Sequence, residues 1–428
     1  MSMVLDALPE ATARIYADLV RPGTKPGKGR KGLTAEQVLR ATLIKQMNGF
    51  SYEQLAFHLS DSTSYRWFCR IGLGERGPKK STLQKAIKRV QGNTLERVNQ
   101  LLVRYAAERK IETGEKVRTD CTAVKSNIHH PNDSSLLWDC VRVLTRLMRR
   151  SREKFGLVFN DHSRRAKRRT QGIAHRRTNP QRLPLYRDLL KVTERTLRQA
   201  RSMAEDLGKL TGGTLMQTLQ AYSLGVELEH YAGLTATVIS QTERRVLRGE
   251  SVPASEKTVS IFEPHTDIIV KDNREPIYGH KICLTTGASG LVTDVIVEQG
   301  NPADVTLAVR MMERQRDVFG KAPRQASFDG GFASRANLAE IKKLGVSDVA
   351  FSKRVGLKIT DMVKSTWVYR RLRNFRSGIE GIISFLKRAF GVGRCSWSGF
   401  ASFKAYVTAS VVTCNLLIVA RHLLAARA

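Results

Sequence analysis

The chain has 428 residues, 41% of them hydrophobic, with 72 Lys+Arg against 39 Asp+Glu and a formal net charge of +33. That is apolar material for a real core and, on length, for two to four domains. A surplus this large repels itself and calls for a polyanionic partner such as nucleic acid, although ribosomal and membrane-surface proteins are as basic and charge alone names no function.

The N-terminus, MSMVLDALPEATARIY, lacks the apolar core of a signal peptide. Residues 21–32 (RPGTKPGKGRKG) have the composition of a flexible basic linker or arm. Capping boxes at Thr34–Gln37, Ser51–Gln54 and Ser81–Gln84 then announce three short helices, each with a hydroxyl three residues before Gln. The stretch GFSYEQLAFHLSDSTSYRWFCRIGL reads as a small helix-turn-helix-type bundle with Leu55, Leu59, Tyr65 and Phe68 inside. Arg66, Arg70, Lys79, Lys80, Lys85, Lys88 and Arg89 make it a DNA-contacting module rather than plain helical packing. Residues 1–110 are therefore expected to form an N-terminal helical DNA-binding domain.

A strand, EKVRTDCTAV, alternates in polarity around Asp120 and opens the catalytic core over 111–133. Residues 134–256 then read as a helical basic insertion. Residues 146–177 hold twelve Lys/Arg against Glu153 and Asp161, a composition suited to DNA backbone contact. Leu185, Leu189, Val192, Met203, Leu207 and Leu210 keep a heptad-like spacing. After Gly212-Gly213 a second helix carries Leu215, Leu219, Tyr222 and Val226, so two long antiparallel helices are expected.

From 257 to 392 the rest of the core follows. TVSIFEP, YGHKICLTT and GLVTDVIVEQ read as strands, then come helix (ADVTLAVRMMERQRDVF), a strand ending in SFDGG, helix (SRANLAEIKKLG), strand (VSDVAFSK) and helix (GIEGIISFLKRAF). With the insertion removed, this is the element order of a ribonuclease H-like α/β core, a mixed sheet flanked by helices, carrying an N-terminal all-α domain and a large helical insertion after its first strand. Residues 393–428 hold the longest apolar stretch, AYVTASVVTCNLLIVA. It is short for a membrane span and contains Asn415, so a buried terminal helix in a soluble protein is expected. The six cysteines (Cys69, Cys121, Cys140, Cys283, Cys395, Cys414) sit singly without a CxxC pair. That speaks against a zinc ribbon or disulfide framework and for a reducing cytoplasm.

Phosphodiester chemistry needs an oxygen activated and another stabilised in line, which two Mg²⁺ about 4 Å apart achieve when held by clustered carboxylates. Asp120 on the first strand, Asp329 at the end of the fourth and Glu380 on the helix after the fifth supply such a cluster. Gly330-Gly331 lets the chain turn sharply after Asp329 and leaves room for a phosphate. Arg376, Glu380 and Lys387 share one helix face, opposite Ile379, Ile382, Phe385 and Leu386. The rival carboxylates are Asp133, Asp267, Asp294, Asp304 and Asp348. Of these, Asp304 reads as a helix N-terminal charge and Asp348 as a strand-start residue. Asn127 and His129 either orient a phosphate or simply mark a turn. His129-His130 lacks good zinc-ligand spacing. Trp367, Trp397 and Phe400 read as core, with base stacking as the alternative.

The segments RTDCTAVKSNIHHPNDSSLLWD, SFDGGFASRANLAEIKKLGVSDVAFSK and RSGIEGIISFLKRAFGVGRCSWSGF resemble, in order, the three catalytic blocks of insertion-sequence DDE transposases, those of the ISNCY type in particular. GLTAEQVLRATLIKQMNGFSYEQLAFHLSD is similar to their N-terminal helical domain. The resemblance implies that Asp120, Asp329 and Glu380 are the three acids and bind two Mg²⁺ (or Mn²⁺), and that Arg376 and Lys387 bind DNA phosphates. The family's tyrosine position is Arg373 here, with Tyr369 one turn earlier, so no tyrosine role carries over. It further implies double-stranded DNA partners (transposon inverted repeats and target), end cleavage and joining of the 3′-hydroxyl without a nucleotide cofactor, a homodimer or larger synaptic complex, no membrane, and a bacterial cytoplasmic, nucleoid-associated location. A catalytically silent DNA-binding derivative and a ribonuclease H-like nuclease without strand transfer are the alternatives.

Overall fold

The computed structural model describes residues 1–20, 32–210, 213–270 and 275–426. The basic arm read at 21–32 lies outside them except for Gly32. The chain forms two compact units, Met1–Asn127 with Gly279–Ala428, and Ile128–Tyr278. The second is wider than the insertion read at 134–256.

In the first unit, helices α1 (Ser2–Asp6), α2 (Pro9–Leu19), α3 (Ala35–Asn48), α4 (Tyr52–Asp61), α5 (Thr63–Phe68), α6 (Lys80–Ile87) and α7 (Gly92–Glu108) precede the first strand. Thr34 and Ser51 cap α3 and α4 with complete boxes, each hydroxyl accepting from the Gln amide three residues on while the Gln side chain accepts from the cap amide. The third expected box does not form. Lys79 is the N-cap of α6 and no side chain caps it, because Ser81 already lies inside the first turn. Leu55 and Leu59 are fully buried, and Tyr65 and Phe68 pack against the same cluster.

The strands of the chain are β1 (Lys116–Lys125), β2 (Asp267–Ile269), β3 (Ile277–Thr286), β4 (Val292–Val297), β5 (Gln325–Phe328) and β6 (Asp348–Phe351). In the first unit β4 pairs antiparallel with β3, β3 antiparallel with β1, β1 parallel with β5, and β5 parallel with β6. The sheet order is thus β4-β3-β1-β5-β6. TVSIFEP is not a strand: residues 258–264 run as bends and turns, with Ser260, Ile261 and Glu263 buried. Its alternation of polarity satisfies burial, but no neighbouring strand takes up its backbone. The tightest joint in the sheet is Gly279, where a Cβ would stand 1.9 Å from the Val124 carbonyl oxygen.

Helices α12 (Ala308–Phe319), α13 (Arg335–Lys343), α14 (Ile359–Met362), α15 (Thr366–Ala389) and α16 (Phe400–Ala425) complete the unit, following four helices of the other one in the chain. Helix α15 starts twelve residues before the GIEGIISFLKRAF segment. Ser365 caps it, and its first turns bury Val368, Tyr369 and Leu372. Helix α16 is long and apolar enough to cross a membrane by length and composition, yet 67% of its most apolar window is buried inside the structure. Asn415 explains why a polar residue sits there. Its side chain accepts from the Val292 amide and donates to the Val292 carbonyl and to Asn99, tying α16 to β4 and α7. All six cysteines are buried and none forms a disulfide.

The second unit is built from α8 (Asp133–Phe155), α9 (Ser163–His175), α10 (Asn179–Lys209) and α11 (Leu215–Thr242). The two long helices expected on either side of the glycines are present, and Thr214–Gln217 makes a capping box that the sequence reading did not use. One expectation is reversed. Leu215, Leu219, Tyr222 and Val226 are exposed, and α11 instead buries Ala221, Leu224, Gly225, Leu228 and Ala232. Small residues let α10 and α11 approach closely, so they form the seam although the larger apolar side chains hold the same periodicity.

Candidate active site

On β1, residues two apart share a face, and Arg118, Asp120 and Thr122 all meet α15. The parallel register sets Thr119 opposite Phe328. One step further along, Asp329, the first residue past β5, comes beside Asp120, since paired strands lie about 4.8 Å apart. The same logic between β5 and β6 sets Phe328 opposite Phe351, so Asp329 emerges beside Ser352. Parallel pairing of the interior strands β1 and β5 thus brings together side chains from remote parts of the chain.

Helix α15 lays Arg376 across these side chains. Its Nη2 is 3.1 Å from Asp120 Oδ2 and 3.4 Å from Asp329 Oδ1, and its Nη1 is 3.3 Å from Glu380 Oε1. All three acids singled out in the sequence therefore touch one guanidinium. Asp120 is largely buried, Asp329 half-buried and Glu380 exposed, so the cluster opens to solvent on the helix side. Arg376 Nε is buried and has no acceptor. About two turns beyond Glu380, Lys387 Nζ donates to Thr122 Oγ1 at 2.7 Å. Ile379 and Leu386 are buried on the opposite side of the helix and hold this face in register.

Ser352 and Lys353 were missed by the sequence reading. The Ser352 hydroxyl donates to Asp329 Oδ1 at 2.8 Å. Burial raises the Asp329 pKa, but the Ser352 hydroxyl, the Gly330 amide and the charges of Arg376 and Lys353 outweigh it and hold the carboxyl below its ordinary value. The signal available in the sequence was the pair of strand ends SFD and FSK, which parallel pairing sets side by side. The expected room beside the glycines is also corrected. Neither glycine adopts positive φ. A Cβ on Gly330 would meet Lys353 Cβ at 2.8 Å, and one on Gly331 would meet Asp304 Oδ2 at 3.2 Å. These glycines admit neighbouring side chains of this chain, not an open space.

The remaining candidates have structural partners. Asp304 opens a 3-10 turn and pairs with Lys281 at 2.8 Å. Asp294 is buried against Arg314, which also meets Glu96 at 2.5 Å; burial raises the Asp294 pKa despite that partner. Asp348 starts β6 and accepts from Gln325 and the Lys364 amide. Asp133 pairs with Arg245 and Asp267 lies on β2. Asn127 is exposed in the bend after β1. His129 stands 3.5 Å from Asp139, and the His130 ring meets Tyr278 edge-on. Tyr369 is core: its hydroxyl donates to the Phe351 carbonyl, while Arg373 is exposed. Trp397 is buried, whereas Trp367 is exposed with Arg371 over its ring.

Oxygen donors of three carboxylates converging on one cation form the hard donor set that a divalent ion of the Mg²⁺ type takes. As arranged, with Arg376 among them, no three Asp, Glu, His or Cys side chains of the described residues form a ready metal cluster. Arg376 is the cation that the three carboxylates share in this structure.

Residues 257–416 match the transposase DDE domain family, and residues 4–89 match the family described as transposase domain (DUF772). The chain belongs to the insertion-sequence DDE transposases. Asp329 and Glu380 fall inside the matched DDE residues and Asp120 precedes them. No curated protein and no solved structure matches the chain.

Proposed function

We propose that this transposase cleaves the ends of its own transposon and joins the exposed 3′-hydroxyl to target DNA, with Asp120, Asp329 and Glu380 as the catalytic acids of a ribonuclease H-like core. The observation that carries the reading is the convergence of those three carboxylates, from β1, the end of β5 and α15, on a single guanidinium. The strand order β4-β3-β1-β5-β6, antiparallel on one side of β1 and parallel on the other, supports the fold assignment. Asp120, Asp329 and Glu380 would hold two Mg²⁺ (or Mn²⁺), and such ions, when bound, neutralise charge on the attacking and leaving oxygens.

The chain's own residues do the rest. Ser352 and the Gly330 amide keep Asp329 ionised and fixed in orientation. Arg376 offsets the mutual repulsion of the three acids and is positioned to take up phosphate charge. Lys387, half-buried beside β1, adds a second phosphate-binding cation in reach of the same strand. In the second unit Arg149, Arg150, Arg165 and Arg169 are paired with acids. Arg164, Lys167 and Arg168 on α9 have no carboxylate partner among the described residues, which suits them to the DNA backbone. The DNA partners are the transposon ends and the target duplex, and pairing two ends calls for more than one copy of the chain.

The test is end-containing DNA with purified protein and Mg²⁺. Site-specific nicking at the ends, abolished by Asp329→Ala with binding retained in a gel-shift assay, is expected. Nicking that survives Asp329→Ala overturns the assignment, and no nicking by the wild type leaves a silent DNA-binding protein.

A further inference from the structure

We propose that two copies of this chain associate through the outer face of α11, in a contact that buries Leu215, Met216, Leu219, Tyr222 and Val226 of each. These five side chains are 77%, 63%, 54%, 67% and 52% exposed. Leu215, Leu219, Tyr222 and Val226, in steps of four, three and four, lie on one stripe of the helix, and Met216 flanks it. The opposite face, through Ala221, Leu224, Leu228 and Ala232, is buried within the second unit, so α11 is apolar on both sides. A helix apolar all round belongs between two partners, and this one has a partner on one side alone.

The size of the stripe fits an interface. At these exposures the five residues present roughly 600 Å² per copy, at the upper end of what a lone monomer exposes. Two copies together would cover about 1,200 Å², where stable specific interfaces begin. The rim is polar, as at such interfaces: Gln220 accepts from Lys154, and Glu227 faces Arg150 at 3.5 Å.

Charge decides which partner. The chain carries 72 Lys+Arg, yet from Leu215 to Thr242 there is none, and the only charged side chains are Glu227 and Glu229. A DNA-facing helix in a protein of net charge +33 should be basic, as α9 is. A surface meant for a second copy of the same basic chain must avoid like charges across the contact, and α11 does so. A stripe of this kind is self-complementary, so one two-fold axis satisfies both copies and closes the assembly. The proposal rests on the transposase reading only in that such an enzyme must hold two DNA ends; the surface itself is independent of the chemistry.

The experiment is sedimentation of the full-length protein, without DNA, at micromolar concentration. Wild type is expected at twice the mass of one chain, and Leu219→Glu/Tyr222→Glu at the mass of one, with an unchanged circular dichroism melt. A monomeric wild type overturns the proposal, as does a double variant that remains dimeric. If wild type is monomeric and instead binds lipid vesicles, or carries a different protein, the stripe belongs to that partner and the proposal is equally overturned. Should the double variant fail to fold, Tyr222→Cys answers the question. All six native cysteines are buried, so a short bis-maleimide links the new thiols into a covalent dimer if the stripe is the contact and gives no dimer if it is not. Nicking of a single end by Leu219→Glu/Tyr222→Glu is expected to persist. Loss of nicking in Asp329→Ala with the dimer intact keeps the two readings separable.

Discussion

On the proposed reading Arg376 stands where a divalent cation binds, and replacing it tests that reading directly. Arg376→Ala removes the cation shared by Asp120, Asp329 and Glu380, with contacts of 3.1, 3.4 and 3.3 Å. The three pairs are not equivalent. Glu380 is exposed and its pair contributes at most a few tenths of a kcal/mol, whereas Asp120 and Arg376 are largely buried and their pair is worth more. Summed, the loss is about 2–3 kcal/mol, a fall in melting temperature on the order of 5 °C for a unit of this size. The acids that remain repel one another and bind a divalent ion without first displacing a guanidinium. The same 2–3 kcal/mol therefore returns as tighter ion binding, roughly 30- to 140-fold at about 1.4 kcal/mol per tenfold. Thermal unfolding over a Mg²⁺ titration measures both effects: the variant starts lower, and 100-fold saturation restores about 2.7 kcal/mol. If Arg376→Ala binds Mg²⁺ no more tightly than wild type, or if the stabilisation survives Asp120→Asn/Asp329→Asn, the three carboxylates are not an ion site and the argument fails.

Three further outcomes are expected. Asp329 is held below its ordinary value of 3.8, so its stabilising contribution is fully present above that pH and is lost as pH falls through the folded value. Ser352→Ala should cost about 1 kcal/mol at neutral pH and converge with wild type in acid, as read by urea unfolding at pH 7 and below pH 3; a difference that stays constant with pH would mean the hydroxyl acts on packing alone. Gly279→Ala forces backbone apart, because its Cβ would stand 1.9 Å from the Val124 carbonyl oxygen and 2.8 Å from Lys125 Cα. A loss of more than about 2 kcal/mol is expected, and near-neutral stability would refute the pairing of β3 on β1 there. Arg164→Ala/Lys167→Ala/Arg168→Ala should weaken DNA binding uniformly across sequences and flatten the slope of log affinity against log salt by roughly 2–3, measured by fluorescence anisotropy; an unchanged slope removes α9 from the DNA surface.

Three acids stood in separate blocks of the linear chain, in the order of the blocks they resemble, and the structure brings those three to one guanidinium. The hydroxyl–Gln boxes at Thr34 and Ser51 marked helix starts, since a cap is a local interaction among residues three apart. Local rules failed where the deciding partner was remote. TVSIFEP has the polarity of a strand but no strand to pair with. The Ser352 hydroxyl reaches Asp329 only because β5 and β6 run parallel in a particular register. On α11 two apolar stripes share one periodicity, and the packing of α10 against small residues, not hydrophobicity, determined which of them was buried. Only the tertiary structure decided that Arg376 would stand among the three acids, because burial, register and helix placement are properties of contacts, and contacts are not written in any one segment of the chain.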